Sequence, residues 1–408
     1  MSGPSRSWST SSRTTSPSRW SGLRGPAGPG SSTRRPADAS HAAVTGAELA
    51  DLVARVGPVL VFFVAITVVA EIADAAGVFD VAGHWATRAG RHRTPVLWLL
   101  FVVVAVVCTV FLSLDTTAVL LTPVGLAIAA QLDISPVPFA LTTLWLANTA
   151  SLLLPVSNLT NLLSLHQFAA LGVGHPGYVR LAALPAAGAV VGTVVVLFLW
   201  HRKALRGRYA LDAAPEPHDP TMLRLAAGVC VAVGPLFALG LSPAWVSSVA
   251  AMVLLVAAWS RDRSRFAHVA VPWRMALGVA VLFVLLDLAL RHGLQPALAS
   301  LAGTGTAPID LVRVAGSGAL AANVVNNLPA YIALESVTAD APPRLMALLI
   351  GVNVAPLVTP WASLATLLWA QRCRARGIQI SPWTLAAQGA TCALVAAGLA
   401  LGALVVAG

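Results

Sequence analysis

A chain of 408 residues, 57% apolar and only 10% charged, with mean hydropathy +0.79, is no soluble domain, where about a quarter of residues carry charge. Its net charge of +10 sits in an N-terminal tail and short loops, without the aromatic–basic interleaving of a nucleic-acid surface. Composition therefore predicts an all-α polytopic membrane protein.

Residues 1–45 form a Ser/Pro/Gly-rich tail, with six Arg and no acid before Asp38. Such a segment cannot bury a core and is expected to be disordered. The first membrane repeat is expected over 46–200. Gly57 to Ala70 opens its first helix, followed by Glu71 and Asp74, which are read as interfacial acids. A loop with Arg88, Arg91 and Arg93 precedes a clean spanning helix from Thr94 to Leu112. Asp115 then stands between two apolar runs. It can exchange a proton or coordinate a cation there, or merely cap the helix Thr116 to Ala130.

The run from Ile134 to Leu165 carries no charge and is long enough to enter a bilayer. Its middle is nevertheless crowded with Asn148, Thr149, Ser151, Ser157, Asn158, Thr160 and Asn161 around Pro155. An unpaired polar group in hydrocarbon costs several kcal/mol, and proline breaks the helical ladder. The run therefore reads as a broken helix or re-entrant hairpin whose freed polar groups line a cavity.

Leu181 to Trp200 spans again, and residues 201–221 form a basic, Pro-containing linker between halves. The second repeat covers 222–408. Ser242-Pro243 divides Leu225 to Ser260 into two helices, and Arg261, Arg263 and Arg265 follow. An even number of crossings separates this loop from the linker, so the positive-inside rule makes both cytoplasmic. Asp287 and Arg291 form a candidate interfacial pair. Gly316 to Leu334 carries Asn323, Asn326, Asn327 and Pro329. Leu345 to Gln371 carries Asn353, Thr359 and Ser363, and Trp383 to Gly408 is the last helix.

The polar interruption occurs twice. Shifted by 205 positions, Asn148-Thr-Ala-Ser-Leu-Leu-Leu-Pro155 falls on Asn353-Val-Ala-Pro-Leu-Val-Thr-Pro360. A second pair precedes these, Leu114-Asp115-Thr116-Thr117-Ala118 and Asn326-Asn327-Leu-Pro-Ala330, which sets Asn327 opposite Asp115. Interrupted apolar segments at matching places in two halves point to the midplane site of a secondary transporter. About ten membrane elements are expected.

Phe111-Leu-Ser-Leu-Asp-Thr-Thr-Ala-Val-Leu-Leu-Thr-Pro, the stretch Asn148 to Asn161, Asn326-Asn-Leu-Pro and Pro360-Trp-Ala-Ser-Leu-Ala-Thr-Leu-Leu-Trp369 resemble the arsenite efflux permeases (ArsB-type) of the ion transporter superfamily. The resemblance covers about residues 50–405. It implies two inverted repeats, each with a re-entrant hairpin and a broken helix, and export of arsenite or antimonite as the trihydroxide across the cytoplasmic membrane. In that family export exchanges for protons or is driven by a separate cytoplasmic ATPase subunit. The wider superfamily also holds sodium/proton antiporters and dicarboxylate or citrate carriers. A dicarboxylate needs compensating positive charge, yet the core stretches hold no Lys, Arg or His. Amides and hydroxyls suit a neutral polyol-like solute or a desolvated cation.

The four cysteines lack disulfide or zinc spacing, and no cofactor is expected. Neither a nucleophile–base motif nor a P-loop is present, so the expectation is a transporter that cannot itself couple ATP hydrolysis.

Overall fold

The computed structural model describes residues 46–111, 113–209, 218–239, 241–261, 273–289, 292–293 and 295–407. The tail, Arg263, Arg265, Pro215, Pro217 and the Asp287–Arg291 side-chain pair lie outside the described residues. The chain divides into Met1–Leu49 and Ala50–Gly408, and the polar centre lies wholly within the second unit.

Sixteen α-helices are described: α1 (Gly46–Ala75), α2 (Val78–Ala89), α3 (Thr94–Phe111), α4 (Leu114–Gln131), α5 (Val137–Thr149), α6 (Leu159–Ala170), α7 (His175–Leu205), α8 (Pro220–Ala238), α9 (Pro243–Arg261), α10 (Trp273–Ala289), α11 (Gln295–Ala302), α12 (Pro308–Val325), α13 (Asn327–Thr338), α14 (Pro342–Val354), α15 (Leu364–Ala375) and α16 (Pro382–Ala407). Among the described residues six are long and apolar enough to cross a membrane, or up to seven if the bent α1–α2 pair is one span. The ten elements expected include broken segments and hairpins, which this number of single spanning helices leaves out. Helices α5, α6, α13, α14 and α15 have only 12 or 13 residues each, about 18–20 Å of helix. None crosses a 30 Å core alone, so breaks and neighbouring helices must complete these paths.

The element order repeats. Helices α5 and α6 coincide at both ends with α14 and α15 when shifted by 205 residues. Before them, α3 and α4 match α12 and α13, and after them α7 matches α16. The counterparts α7 and α16 run antiparallel: Gly188 abuts Leu399, Gly192 abuts Ala396, and His201 meets Gln388 at 3.1 Å. Helices this close need small residues, and a Cβ on Gly192 would lie 2.9 Å from the Cα of Ala396. The two sets also exchange arms. Helix α6 packs on α13 and α14, while α15 packs on α4 and α5.

Apolar side chains point both ways, as a bilayer demands. Leu99, Val103 and Val107 of α3, Val191 and Leu199 of α7, and Val249 and Val256 of α9 are exposed. Trp98, Phe101, Phe139 and Trp145 fill the interior, with Trp98 donating to Thr142 Oγ1 at 2.9 Å.

Candidate functional site

Each half is interrupted at two places, and the breaks meet inside the bundle. The first interruption separates α3 from α4 at Ser113. There Thr109 donates to Thr117 across eight residues at 3.2 Å, a contact open only to a chain that folds back. Ser113, not Asp115, is the N-cap of α4, its hydroxyl accepting from Thr116 N at 3.2 Å and donating to Thr116 Oγ1 at 3.0 Å. Asp115 sits two residues inside the helix, past the capping position, and its buried Oδ1 has no hydrogen-bond partner. The capping role is thereby corrected.

Asn326 occupies the matching cap of α13, accepting from Leu328 N and donating to Trp361 O at 2.8 Å. Ser113 (φ 135°, ψ 162°) and Asn326 (φ 131°, ψ 154°) adopt nearly the same backbone conformation, one that side-chain-bearing residues rarely adopt. Matching the caps moves the register by one residue. Asp115 then stands opposite Leu328, and the pairing with Asn327 expected from the sequence is corrected. Asn327 is buried, its N–H bonded to Ala362 O at 2.8 Å.

The second interruption lies between α5 and α6, where the chain makes short 3₁₀ turns at Ala150–Leu152 and Pro155–Ser157. The α-helix has already ended at Thr149, and Pro155, with no N–H to donate, keeps the chain from rejoining the helical ladder. Asn158 restarts it by capping α6, accepting from Thr160 N at 3.2 Å. In the other half Ser363 caps α15 in the same way, accepting from Thr366 N at 3.1 Å and sharing a 2.8 Å hydroxyl contact with Thr366.

Asn353 joins the halves. Its Oδ1 accepts from Asn158 Nδ2 at 3.0 Å and Thr160 Oγ1 at 2.7 Å, and its Nδ2 donates to Asn161 Oδ1 at 2.7 Å. Asn161 in turn donates to Ser151 O and Leu154 O, and Asn158 to Ser151 Oγ at 3.2 Å. Ser151 donates to Asn148 O at 2.7 Å. These side chains are buried, and the bonds fix which end of each amide is oxygen.

Asn148, at the matching position of the first half, is different. Its Nδ2 bonds Leu144 O within its own helix, and its fully buried Oδ1 has no partner. Thr149 accepts from Thr193 Oγ1 at 2.9 Å. Ser157 donates to Val110 O at 2.7 Å, tying the second interruption to the end of α3. Trp361 makes the corresponding bond to Val324 O at 3.1 Å.

Sequence reasoning gave Asn323 no role. It organises the second half: its Oδ1 accepts from Val358 N and Thr359 N, its Nδ2 donates to Ala355 O, and its carbonyl accepts from Thr359 Oγ1. The available signal was its place one turn before Asn326.

No Lys, Arg or His joins this network. The charges lie farther out, where Arg372 Nη2 bonds Glu71 Oε1 at 2.6 Å and Arg376 pairs with Asp74 and Asp80. Glu71 and Asp74 are thus partly buried ion-pair partners, because the end of α15 delivers two arginines to them. The cysteines are free, and Cys392 comes within 3.8 Å of Thr193 Oγ1. Among the described residues no group of His, Cys, Asp and Glu could hold a metal. A cavity of about 530 Å³ between α8 and α9 is lined by apolar side chains apart from Ser242 and includes none of the residues of the polar centre.

The profile of the citrate transporter family CitMHS matches residues 42–366. The chain belongs to that family. Among its relatives are the arsenical pump membrane proteins of Escherichia coli strain K12 and Shigella flexneri, each 28% identical over 350 residues, or 78% of this chain and 79% of the relative. That of Yersinia enterocolitica is 28% identical over 348 residues, with the same coverage. This CitMHS protein is a multi-pass membrane transporter, all-α, of the ion transporter superfamily.

Proposed function

We propose that this transporter exports arsenite and antimonite, as neutral trihydroxides, across the cytoplasmic membrane in exchange for protons. The observation that carries the reading is the uncharged centre of amides and hydroxyls in which Asn148 Oδ1 lies buried without a partner. A buried acceptor left open within a satisfied network is costly unless something donates to it, and a trihydroxide brings three O–H donors. Asn148, Thr149, Ser151, Ser157, Asn158, Thr160 and Asn161 form the first face of the site, and Asn326, Asn327, Asn353, Thr359 and Ser363 the second. Asp115 carries the proton, with Thr116 beside it at the start of α4. The relatives' identity as arsenical pump membrane proteins supports the choice of solute.

A neutral solute leaving against an entering proton moves one charge per cycle. The membrane potential then contributes about 2.3 kcal/mol per 100 mV. A cytoplasmic ATPase subunit is the alternative drive.

The family's description favours a second reading, citrate or another organic anion. That reading requires cationic partners for several carboxylates, which the core stretches do not supply. Sodium/proton antiport is the third.

The test is expression in cells stripped of their own efflux systems, followed by inverted vesicles. Arsenite and antimonite resistance is expected, with pH-driven accumulation lost in Asp115→Asn. Resistance to sodium or lithium, or citrate uptake, without any arsenite effect would refute the reading.

A further inference from the structure

The two halves match closely at their centre and differ at one end. At offset 205, Arg372 and Arg376 of α15 correspond to Gln167 and Leu171 at the end of α6, neither of which is charged. Among the described residues the arginines of this end of α15 form an ion-pair ladder with acids of the first half, and the matching end of α6 forms none. Its arginines are one turn apart on α15, and Glu71 and Asp74 are one turn apart on α1, so the two rungs form side by side. Asp80 of α2 sits 3.4 Å from the second rung. Arg372 is 2% exposed, so this rung is held in a place where water contributes little screening.

The seam around it is not fully satisfied. Arg372 Nε, Gln371 Oε1 and Thr67 Oγ1, the last one turn before Glu71, are buried without partners. Such groups raise the energy of the conformation that contains them, and a conformation that opens the seam to water relieves them.

Helix α15 is a short rod. Its far end is capped by Ser363 and continues into the second break, where Val358 N and Thr359 N are held by Asn323 Oδ1. A grip on the Arg372–Arg376 end is therefore a grip on the break.

We propose that Arg372 and Arg376 are positioning residues for transport: bound to Glu71 and Asp74, they hold α15 and the second break in the conformation seen here, and they release when the carrier changes the side it faces. The inference rests on the chain being a carrier and not on which solute it carries. It also makes the cycle asymmetric, because the end of α6 carries Gln167 and Leu171 where α15 presents Arg372 and Arg376.

The test uses the full chain in lipid nanodiscs and proteoliposomes. Removing one member of a buried pair leaves an uncompensated charge, so the informative variants are paired, Glu71→Gln with Arg372→Gln and Asp74→Asn with Arg376→Gln. Hydrogen exchange at Val358, Thr359 and Ala362 is expected to become about tenfold faster in either, while amides of the α7–α16 contact keep the parent rate. Arg372→Lys, which keeps the charge, should restore most of the protection. In proteoliposomes the paired variants should change turnover at least threefold with KM unmoved. Parent exchange rates at the break in both paired variants overturn the proposal, as does equal loosening of α7–α16, which would mean a merely structural pair. If the buried pair's variant fails to reach the membrane, the Asp74–Arg376 variant decides on the same criteria. Failure of the parent to carry arsenite bears on the solute and leaves the exchange result standing.

Discussion

Asn148 and Asn353 hold the same position in the two halves, and the structure predicts that losing each has a different consequence. Asn353→Ala removes three hydrogen bonds at once. Asn158 keeps a second acceptor in Ser151, but Asn161 Oδ1 and the Thr160 hydroxyl lose their partner inside the bundle. Each orphaned buried group costs about 1–3 kcal/mol, so the variant should lose about 2–6 kcal/mol of stability. Asn148→Ala removes one bond to a carbonyl that also serves the helix, and it deletes an acceptor already unpartnered. Those effects oppose each other, and the net change should lie within about 1 kcal/mol of zero. Reversible unfolding of the purified protein in mixed micelles measures both. Solute flux in vesicles made from the same preparations should be lost in Asn148→Ala despite its intact fold. Equal destabilisation by the two substitutions, or full transport by Asn148→Ala, would refute the reading in which Asn353 ties the halves as well as lining the site, while Asn148 offers the solute an open acceptor.

At Ser113, Gly should be better tolerated than Ala. Both remove the cap, but Gly relieves the backbone conformation at φ 135°, so unfolding measurements should favour Ser113→Gly by about 1–2 kcal/mol. Outside the membrane spans, Asp219 caps α8 and binds Arg261 at the end of α9. The Arg261 hydrogen bond, with the Met222 and Thr221 amides, lowers the Asp219 pKa from 3.8 to about 2. Its contribution is therefore complete above about pH 4 and is lost as pH falls through 2. A pH titration of stability from 8 to 5 should show no difference between the parent and Asp219→Asn in slope, and a difference in slope would refute the assignment.

The sequence carried the elements that depend on local chemistry. Pro155, the amide-rich run and the repeated Asn–Pro spacing announce two broken paths, and the capping residues Asn158 and Ser363 stand at the restarts. Ser242-Pro243 likewise separates α8 from α9. What was not legible depends on which helices meet. The one-residue shift that puts Leu328 opposite Asp115 follows from the caps, and Ser113 and Asn326 are different residue types doing one job. The ion pairing of Glu71 and Asp74 was not legible because their partners lie some 300 residues away, at the end of α15. The short lengths of α5, α6 and α13–α15 were hidden inside longer apolar runs.

The two interruptions at Ser113 and Asn326 bear on how such a carrier divides its labour. A non-glycine residue in that backbone region costs on the order of 1–3 kcal/mol, and it persists only where surrounding bonds over-determine it. Here the same conformation occurs twice, each time at the cap of a helix and next to a carbonyl, Val110 O or Val324 O, that anchors the neighbouring break. The framework is thus symmetric where it bends. The groups hung on it are not: Asp115 corresponds to Leu328, the open Asn148 to the saturated Asn353, and Gln167 to Arg372. At this matched pair of caps only the first half offers a group that can titrate, which is why the proposed proton step is placed on Asp115. The second half supplies the amide that ties the breaks together and the charged grip that sets where its helix lies. Symmetry of the backbone allows two facing states, and asymmetry of the side chains gives each half a separate task in moving between them.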